Sequence, residues 1–452
     1  MEQVIDTDIA IVGAGGCGLT AAITAASRGA RVLILEQDAL PGGSTSMSAG
    51  LFVAAGSWFQ RENSETGTPQ ELAEDILKMN GRQSDAMLTQ ALCQISGPLM
   101  DWLAAHDVPM EHLPDYKYPG MSRSWLHAPP QRHGAVVIQA LARRAKDESA
   151  INLRTLTAVT GLIFSEGSVN GLWATTADGK RLNVKARAVI LAASGFGANL
   201  TMVSQHIPEM SGAAYFGSPH ATGGAISWGR EIGAALDHMS AYQPHSSIAY
   251  PEMLLVTTYL INHGAIQVNQ AGQRFGDETD TYAGHAIAVQ RQPNRTVIEI
   301  FDEHIRLETL KNYPRFKECL DAGIVQSAKS LDELATIFDL ERSNLSATVE
   351  QSNTLPPGAR DEFGRVGSGR PLTPPFYGIR VTSALVQTLG GLRVNPRAQV
   401  LRPNGSPIPG LYAGGGTAAG LAGDRPEGYM AGTGLLAAFG LGWIAGREAS
   451  FG

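Results

Sequence analysis

The sequence predicts an α/β protein in which a parallel, doubly wound sheet is interrupted by an inserted α+β domain. Three observations lead there. The first 36 residues read as strand, glycine turn, helix, strand. Residues 239–370 are less dense in glycine and carry helical patterns of their own. After Pro371–Pro375 the chain returns to glycine-rich βα sequence. The expected domains are therefore residues 1–238 and 371–452, forming one discontinuous domain, and residues 239–370 as the insertion.

Composition narrows the function classes. Of 452 residues, 43% are hydrophobic, 17% charged and 7% aromatic, an ordinary globular mix that excludes disordered, collagenous and coiled-coil chains. A net charge of −7 leaves no electrostatic footprint for nucleic acid, and no dense Lys/Arg cluster is present to hold an anionic membrane. Cys17, Cys93 and Cys319 lie far apart with no C-x-x-C, so no disulfide framework, zinc site, iron–sulfur cluster or c-type haem is expected. Met1–Asp6 lacks the start of a signal peptide, and Gly434–Gly446, the longest apolar stretch, is too short and glycine-rich to span a bilayer. A cytoplasmic protein without a membrane span is expected. Glycine is over-represented at 52 residues, and the excess is clustered.

The first cluster follows the β-branched run Thr7–Val12 and reads Gly13-Ala14-Gly15-Gly16-Cys17-Gly18. A helical pattern then runs to about Arg28, a buried strand follows at Arg31–Leu35, and Glu36 ends it. This is a βαβ unit with the dinucleotide fingerprint: Gly13 permits the turn, Gly15 lets the backbone approach a pyrophosphate, and Gly18 lets helix and strand pack closely. The helix start presents N–H groups to phosphates, and Glu36 can accept from ribose hydroxyls.

Farther along, Ser84–His106 and Gly134–Lys146 read as amphipathic helices, and Val169–Ile190 as a strand meander turning at Asp178-Gly179. A buried strand, Ala188–Ala193, runs into Ser194-Gly195-Phe196-Gly197. Helices are expected near Leu331–Phe338 and Glu341–Asn353. No second G-x-G-x-x-G follows a strand, so a separate NAD(P)H site is not expected.

Five ordered motifs extend this reading: Leu40-Pro41-Gly42-Gly43-Ser44-Thr45-Ser46-Met47-Ser48-Ala49-Gly50, VILAASGFGAN at Val189–Asn199, GAIQVNQAGQRFGDE at Gly264–Glu278, Gly390-Gly391-Leu392-Arg393-Val394, and Ile408-Pro409-Gly410-Leu411-Tyr412-Ala413-Gly414-Gly415. Together they resemble the flavoprotein family of soluble fumarate reductases and 3-oxosteroid 1-dehydrogenases. The resemblance implies a Rossmann-like FAD-binding domain of glutathione-reductase type, with an inserted, mobile capping domain over the isoalloxazine. It implies FAD as cofactor, held by Gly13, Ala14, Gly15, Gly16, Gly18, Glu36, Gly42, Gly43, Ser44, Thr45, Ala49, Gly50, Val159, Ala193, Ser194, Gly195, Gly415, Gly416, Gly434 and Leu435. Members with covalent flavin carry a His after the GG pair; Ser44–Ala49 holds none, so non-covalent FAD is expected. The Gly432–Gly434 segment opens the last helix and offers N–H dipoles where reduction builds negative charge on the flavin.

Fumarate reductases of this family carry a His pair before Thr-x-Gly-Gly and an Arg in the last motif. Here Val386-Gln387 precedes Thr388-Leu389-Gly390-Gly391, and Tyr429 stands at the Arg position. A Tyr there resembles the ketosteroid dehydrogenases, as does Tyr282, four residues after Glu278, and Tyr116 in Asp115-Tyr116-Lys117-Tyr118-Pro119-Gly120. The trio suits desaturation beside a ketone. Tyr429, with a backbone N–H near Thr433 and Gly432, would stabilise the developing enolate. Tyr282, supported by Tyr116, would take the α proton, while the β hydrogen leaves as hydride to flavin N5. Tyr118 and Arg306 complete the substrate candidates; Arg306 resembles the reductases' proton-delivering Arg in place, with a surface ion-pair role as the favoured alternative.

The expected function is thus an FAD-dependent dehydrogenase introducing a double bond next to the ketone of a 3-oxosteroid or smaller cyclic keto acid. The alternatives are a fumarate- or urocanate-type reductase and a non-catalytic flavin electron-transfer protein. The partners expected are a small-molecule substrate and an electron acceptor (a quinone, an electron-transfer protein or oxygen).

Overall fold

The computed structural model describes residues 3–65 and 67–450. The chain divides into two compact units, one made of residues 1–208, 217–242 and 387–452, the other of residues 209–216 and 243–386.

The first unit is built on an eight-stranded sheet. Its path runs Gln399–Leu401, Pro407–Ala413, Arg181–Leu191, Gln3–Val12, Val32–Leu35, Ile151–Arg154. The five strands from Pro407–Ala413 to Ile151–Arg154 are parallel neighbours. Strands buried on both faces read as unbroken apolar runs, and Val32–Leu35 is buried throughout. The register brings strand ends together: Val12 lies opposite both Leu35 and Leu191, and Leu191 opposite Ala413. The glycine segments that follow Val12, Leu191 and Ala413 therefore leave from one edge, the carboxyl edge where open α/β sheets bind ligands.

Glycine also sets the helix packing. The last helix, Thr433–Ala449, lies against Gly16–Ala26. A Cβ on Gly442 or Gly446 would collide with the backbone of Cys17 or Ala21. The apolar stretch noted in the sequence is thus a buried helix of the core, and among the described residues no helix is long and apolar enough to cross a membrane.

Several element boundaries differ from expectation. The first strand starts at Gln3, its helix ends at Ala26, and the meander comprises Thr157–Ser165, Ser168–Thr176 and Arg181–Leu191. The segment read as a separate strand from Ala188 is the end of that last long strand. The helix expected from Ser84 begins at Ala86, because the Asp85 side chain accepts from Leu88 N–H at 2.9 Å and caps it there.

The second unit holds a six-stranded sheet around Phe376–Thr388. That strand pairs antiparallel with Thr296–Asp302 and Gln326–Ala328, and parallel with Ala214–Tyr215. Val297, Ile300, Phe301, Phe316, Leu345, Ile379 and Val381 form its core. The boundary expected at residue 370 therefore moves to 386. Pro371–Pro375 looked like a domain border, but the strand after it supplies the inner ladder of this sheet. Residues 209–216 also belong here, through the pairing of Ala214 with Ala384.

Candidate functional site

In the first unit the dinucleotide loop is shaped by glycines with different jobs. Gly13 has φ +99°, and a Cβ there would lie 2.6 Å from the Ala192 carbonyl oxygen. A Cβ on Gly18 would run into the Gly13 carbonyl oxygen, and one on Gly16 into the Phe439 ring. Gly15 differs: a Cβ would have only the Gly42 oxygen near it, at 3.7 Å. The protein itself leaves Gly15 room, so what favours glycine there is the approach of something outside the chain. Gly15 also caps Gly16–Ala26 without any side-chain hydrogen bond, leaving N–H groups for an anion. Glu36, 9% exposed, accepts from Ala14 N–H at 2.7 Å and from Asp38 N–H at 2.9 Å. Open backbone, free helix N–H groups and a buried carboxylate fit the pyrophosphate and ribose of FAD.

Gly43–Met47 forms a short helix after Gly42, and Ser44 Oγ accepts from Ser218 N–H at 3.1 Å. Ala49 and Gly50 follow that helix. Val159 lies on the meander opposite Ala174. Ala193 N–H donates to Thr417 Oγ1 at 3.1 Å, and that hydroxyl donates to the Ser194 carbonyl at 2.8 Å. Thr417 thereby clips the Ala193–Gly195 turn to Gly415-Gly416. Phe196 N–H donates to Thr388 Oγ1 at 3.0 Å. A small pocket adjoins these loops, lined by Gln387, Gly415, Gly416, Thr433 and Gly434 among others, with no charged side chain. Leu435 follows in the first turn of the last helix.

Gly432 caps that last helix with φ +88° and no side-chain cap. The Tyr429 hydroxyl stands beside this helix start, where the backbone at Gly434 and Gly432 and the Gln387 side chain favour its ionised form. Burial pushes the Tyr429 phenol up to about 12, outweighing them. Tyr429 is thus a neutral phenol across physiological pH, able to donate and unsuited to act as a base. Thr433 Oγ1 donates to the Met430 carbonyl at 2.7 Å.

Tyr118 is close enough to Tyr429 to influence its ionisation. The Tyr116 and Tyr118 rings meet edge to face, centroids 5.2 Å apart, with hydroxyls 3.5 Å apart. Their loop is pinned from below. Asp75 accepts from Ser122 N–H, Ser122 Oγ and Trp125 Nε1, each at 2.7 Å, and Ser124 Oγ donates to the Tyr116 carbonyl at 2.9 Å. The structure therefore gathers Tyr116, Tyr118, Tyr429, Gly432 and Thr433 in one unit.

The remaining candidates lie in the second unit. Tyr282 opens helix Tyr282–Gln290 behind its Thr281 cap; its side chain lies outside the described residues. Arg306 is gripped by Glu303 through two 2.7 Å contacts, Nε and Nη2 each meeting one carboxylate oxygen, and sits over the Tyr377 ring. Its contacts are those of an ion pair within its own helix. Glu278 is fully engaged by Arg274, Arg365 and the Gln267 N–H. Burial works to raise it, yet Arg365 and Arg274 hold its carboxyl down to about 2.

Sequence reasoning gave Gln387 no role and missed Thr417 and a further buried acid, Glu299. Glu299 Oε2 accepts from Ser247 Oγ at 2.7 Å and Gln267 Nε2 at 2.9 Å, and burial pushes its carboxyl up to about 7. Gln387 stood in view before the Thr388-Leu389-Gly390-Gly391 motif but only as a missing histidine; Thr417 and Glu299 belong to no such motif, and only a lone Glu within the apolar run Thr296–Asp302 marked the last.

Across residues 8–428 the sequence matches the family described as FAD binding domain. It is 29% identical over 446 residues to the fumarate reductase (cytochrome) of Shewanella frigidimarina, covering 98% of this chain and 77% of that protein. Its fold matches the open conformation of a flavocytochrome c3 fumarate reductase with a TM-score of 0.85, at 24% identity, over 99% of this chain and 78% of that one. It also matches the 3-ketosteroid-delta4-(5alpha)-dehydrogenase of Rhodococcus jostii RHA1, in complex with 4-androstene-3,17-dione, with a TM-score of 0.74 and 25% identity, over 98% and 97% of the two chains.

Proposed function

The chain belongs to the FAD binding domain family and is an FAD-dependent oxidoreductase acting on carbon–carbon bonds, and on that premise we propose that it desaturates the bond next to the ketone of a neutral cyclic substrate. One observation carries the reading: at the start of the last helix stands a buried, neutral phenol, Tyr429, beside an uncharged pocket wall. A fumarate clamp needs cations for its carboxylates. Here the position of the clamping Arg holds Tyr429, and Val386-Gln387 stand where the His pair would be.

Bound FAD supplies the hydride acceptor for the β hydrogen. The chain's own residues do the rest. Tyr429 donates to the ketone oxygen as enolate charge develops, which is where preorganised donors act most strongly. The helix start adds its dipole to the same charge. Tyr118 and Tyr116 extend the hydroxyl surface for the substrate. Tyr282 takes the α proton in this reading, on its resemblance to the Tyr that ketosteroid dehydrogenases carry four residues after the matching Glu.

The relatives support a second reading, reduction of an activated double bond, because the Shewanella frigidimarina protein is named for that reaction. An anaerobic panel separates the two. Cyclic ketones or 4-androstene-3,17-dione should bleach the oxidised flavin, whereas fumarate should leave the dithionite-reduced enzyme reduced. Reoxidation by fumarate with no bleaching by any ketone would refute the ketone reading.

A further inference from the structure

We infer that Thr417 is a positioning residue for FAD: its hydroxyl holds Ser194 in a left-handed backbone conformation and so presets the turn at residues 193–195 that meets the cofactor. The inference rests on FAD as the cofactor and not on the ketone reading above.

Ser194 has φ +64°. A left-handed backbone crowds the Cβ of any residue but glycine. A serine held there persists only where its surroundings fix it, and residues so held gather at ligand clamps. Thr417 does the fixing. Its Oγ1 accepts from Ala193 N–H at 3.1 Å and donates to the Ser194 carbonyl at 2.8 Å. One hydroxyl thus grips the chain on both sides of the strained torsion. Thr417 is fully buried, and it ends the single turn Gly415–Thr417, which Ala418 N–H closes onto the Gly415 carbonyl at 3.1 Å. The hydroxyl is therefore delivered from a fixed backbone.

The neighbours of this turn place it beside the dinucleotide loop. It follows strand Arg181–Leu191, whose end lies opposite Val12. A Cβ on Gly13 would lie 2.6 Å from the Ala192 carbonyl oxygen and 3.5 Å from Ala193 Cα. Elsewhere on the turn, a Cβ on Gly416 would lie 2.7 Å from Gly195 N, and one on Gly195 would strike Thr388 Oγ1. With these flanks already in contact, the torsion at Ser194 decides which backbone atoms face the carboxyl edge. A glycine at 194 would reach the same torsion without strain but would leave it free in the empty protein. Serine under the Thr417 hydroxyl is set before the cofactor arrives, so binding has less ordering left to do.

The test titrates FAD into apoprotein, followed by flavin fluorescence at a temperature where thermal melts show every variant folded. Thr417→Val keeps the shape and removes the hydroxyl; FAD should bind about tenfold more weakly, the effect of one hydrogen bond. Thr417→Ser keeps the hydroxyl and should bind FAD close to the parent level. A double-mutant cycle then separates positioning from support. In a Ser194→Gly background the left-handed torsion carries no strain, so Thr417→Val should weaken FAD by no more than about threefold. A threonine that merely supports the fold would lose the same affinity in both backgrounds, and that result overturns the inference. Parent-like FAD affinity in Thr417→Val overturns it too. If Thr417→Val does not fold, Ser194→Val decides: a β-branched residue resists the left-handed torsion with the Thr417 hydroxyl still in place. FAD should then bind at least about tenfold more weakly, and parent-like affinity in that variant overturns the inference.

Discussion

The backbone N–H of Ala14 donates to Oε2 of Glu36 across 2.7 Å, tying the glycine turn to the end of the second strand. Oε1 of the same carboxylate accepts from Asp38 N–H at 2.9 Å. One side chain therefore holds the glycine turn against the end of the second strand. Glu36→Ala should loosen both, and FAD retained through gel filtration should fall well below the parent level at equal concentration.

The flavin should be non-covalent, because Ser44–Ala49 contains no histidine. Acid precipitation is expected to release yellow FAD into the supernatant. Colour retained on the pellet after washing would show a covalent bond and overturn this expectation.

Gly15 and Gly18 should fail in opposite ways. A Cβ on Gly15 meets only the Gly42 oxygen at 3.7 Å, so Gly15→Val should fold but lose FAD, while a Cβ on Gly18 strikes the Gly13 backbone, so Gly18→Val should not fold stably. Thermal melts of the cofactor-free proteins, paired with FAD titration, check both. Stoichiometric FAD in Gly15→Val would remove this loop from the binding site.

Tyr429→Phe keeps the ring and removes the hydroxyl. Single-turnover flavin reduction by a bleaching ketone should slow by ~10²–10³-fold, the scale of one lost oxyanion donor, with FAD content unchanged. Tyr282→Phe should slow reduction similarly and abolish α-proton exchange with solvent. Rates within a few-fold of the parent in both variants would refute the mechanism.

Arg306 separates the two functional readings. Glu303 occupies Nε and Nη2 of its guanidinium, so Arg306→Ala should change ketone-driven reduction no more than about threefold, the scale of an exposed ion pair. A loss near ~10²-fold, that of a missing general acid, would instead favour proton delivery in the reductase manner.

Glu299 predicts a pH dependence of stability. Burial raises its folded pKa from 4.5 to about 7, so the folded state binds the proton more tightly than the unfolded one. Stability linked to this group is present in full below about pH 4.5 and is lost as pH rises to about 7. Glu299→Gln should remove that decline, raising stability at about pH 8 by roughly 3 kcal/mol relative to its effect at about pH 4. Denaturant melts of the two proteins compared at each pH cancel the shared contributions of His245, His285 and Glu278. A constant difference across that range would show that folding leaves the Glu299 pKa unshifted.

How much was legible depended on how local the physics is. The dinucleotide unit could be read because a turn that must bring backbone to phosphate requires glycine at set spacings, and Gly13, Gly15 and Gly18 stand at them. Helix Leu331–Phe338 could be read to the residue, since its Ser330 cap and apolar face are local too. Strand Phe376–Thr388 misled the domain boundary because the proline pair before it looks the same at a domain border as at the entrance to a central strand. Its partners, Thr296–Asp302 and Gln326–Ala328, are far away in the chain.

The amino-acid order alone therefore determined the fold class and the FAD cofactor, and its resemblance to a known family marked the glycine loop and Tyr429 as site candidates. Only the tertiary structure decided what those side chains can do. Tyr429 is a neutral phenol because burial outweighs the helix start that favours its ionised form, Arg306 is paired with Glu303, Glu299 is buried beside Gln267, and Gln387 lies near Tyr429 across 42 positions of sequence. Charge state and hydrogen-bond direction depend on desolvation and on partners brought in from elsewhere in the chain, and neither is a property of local spacing.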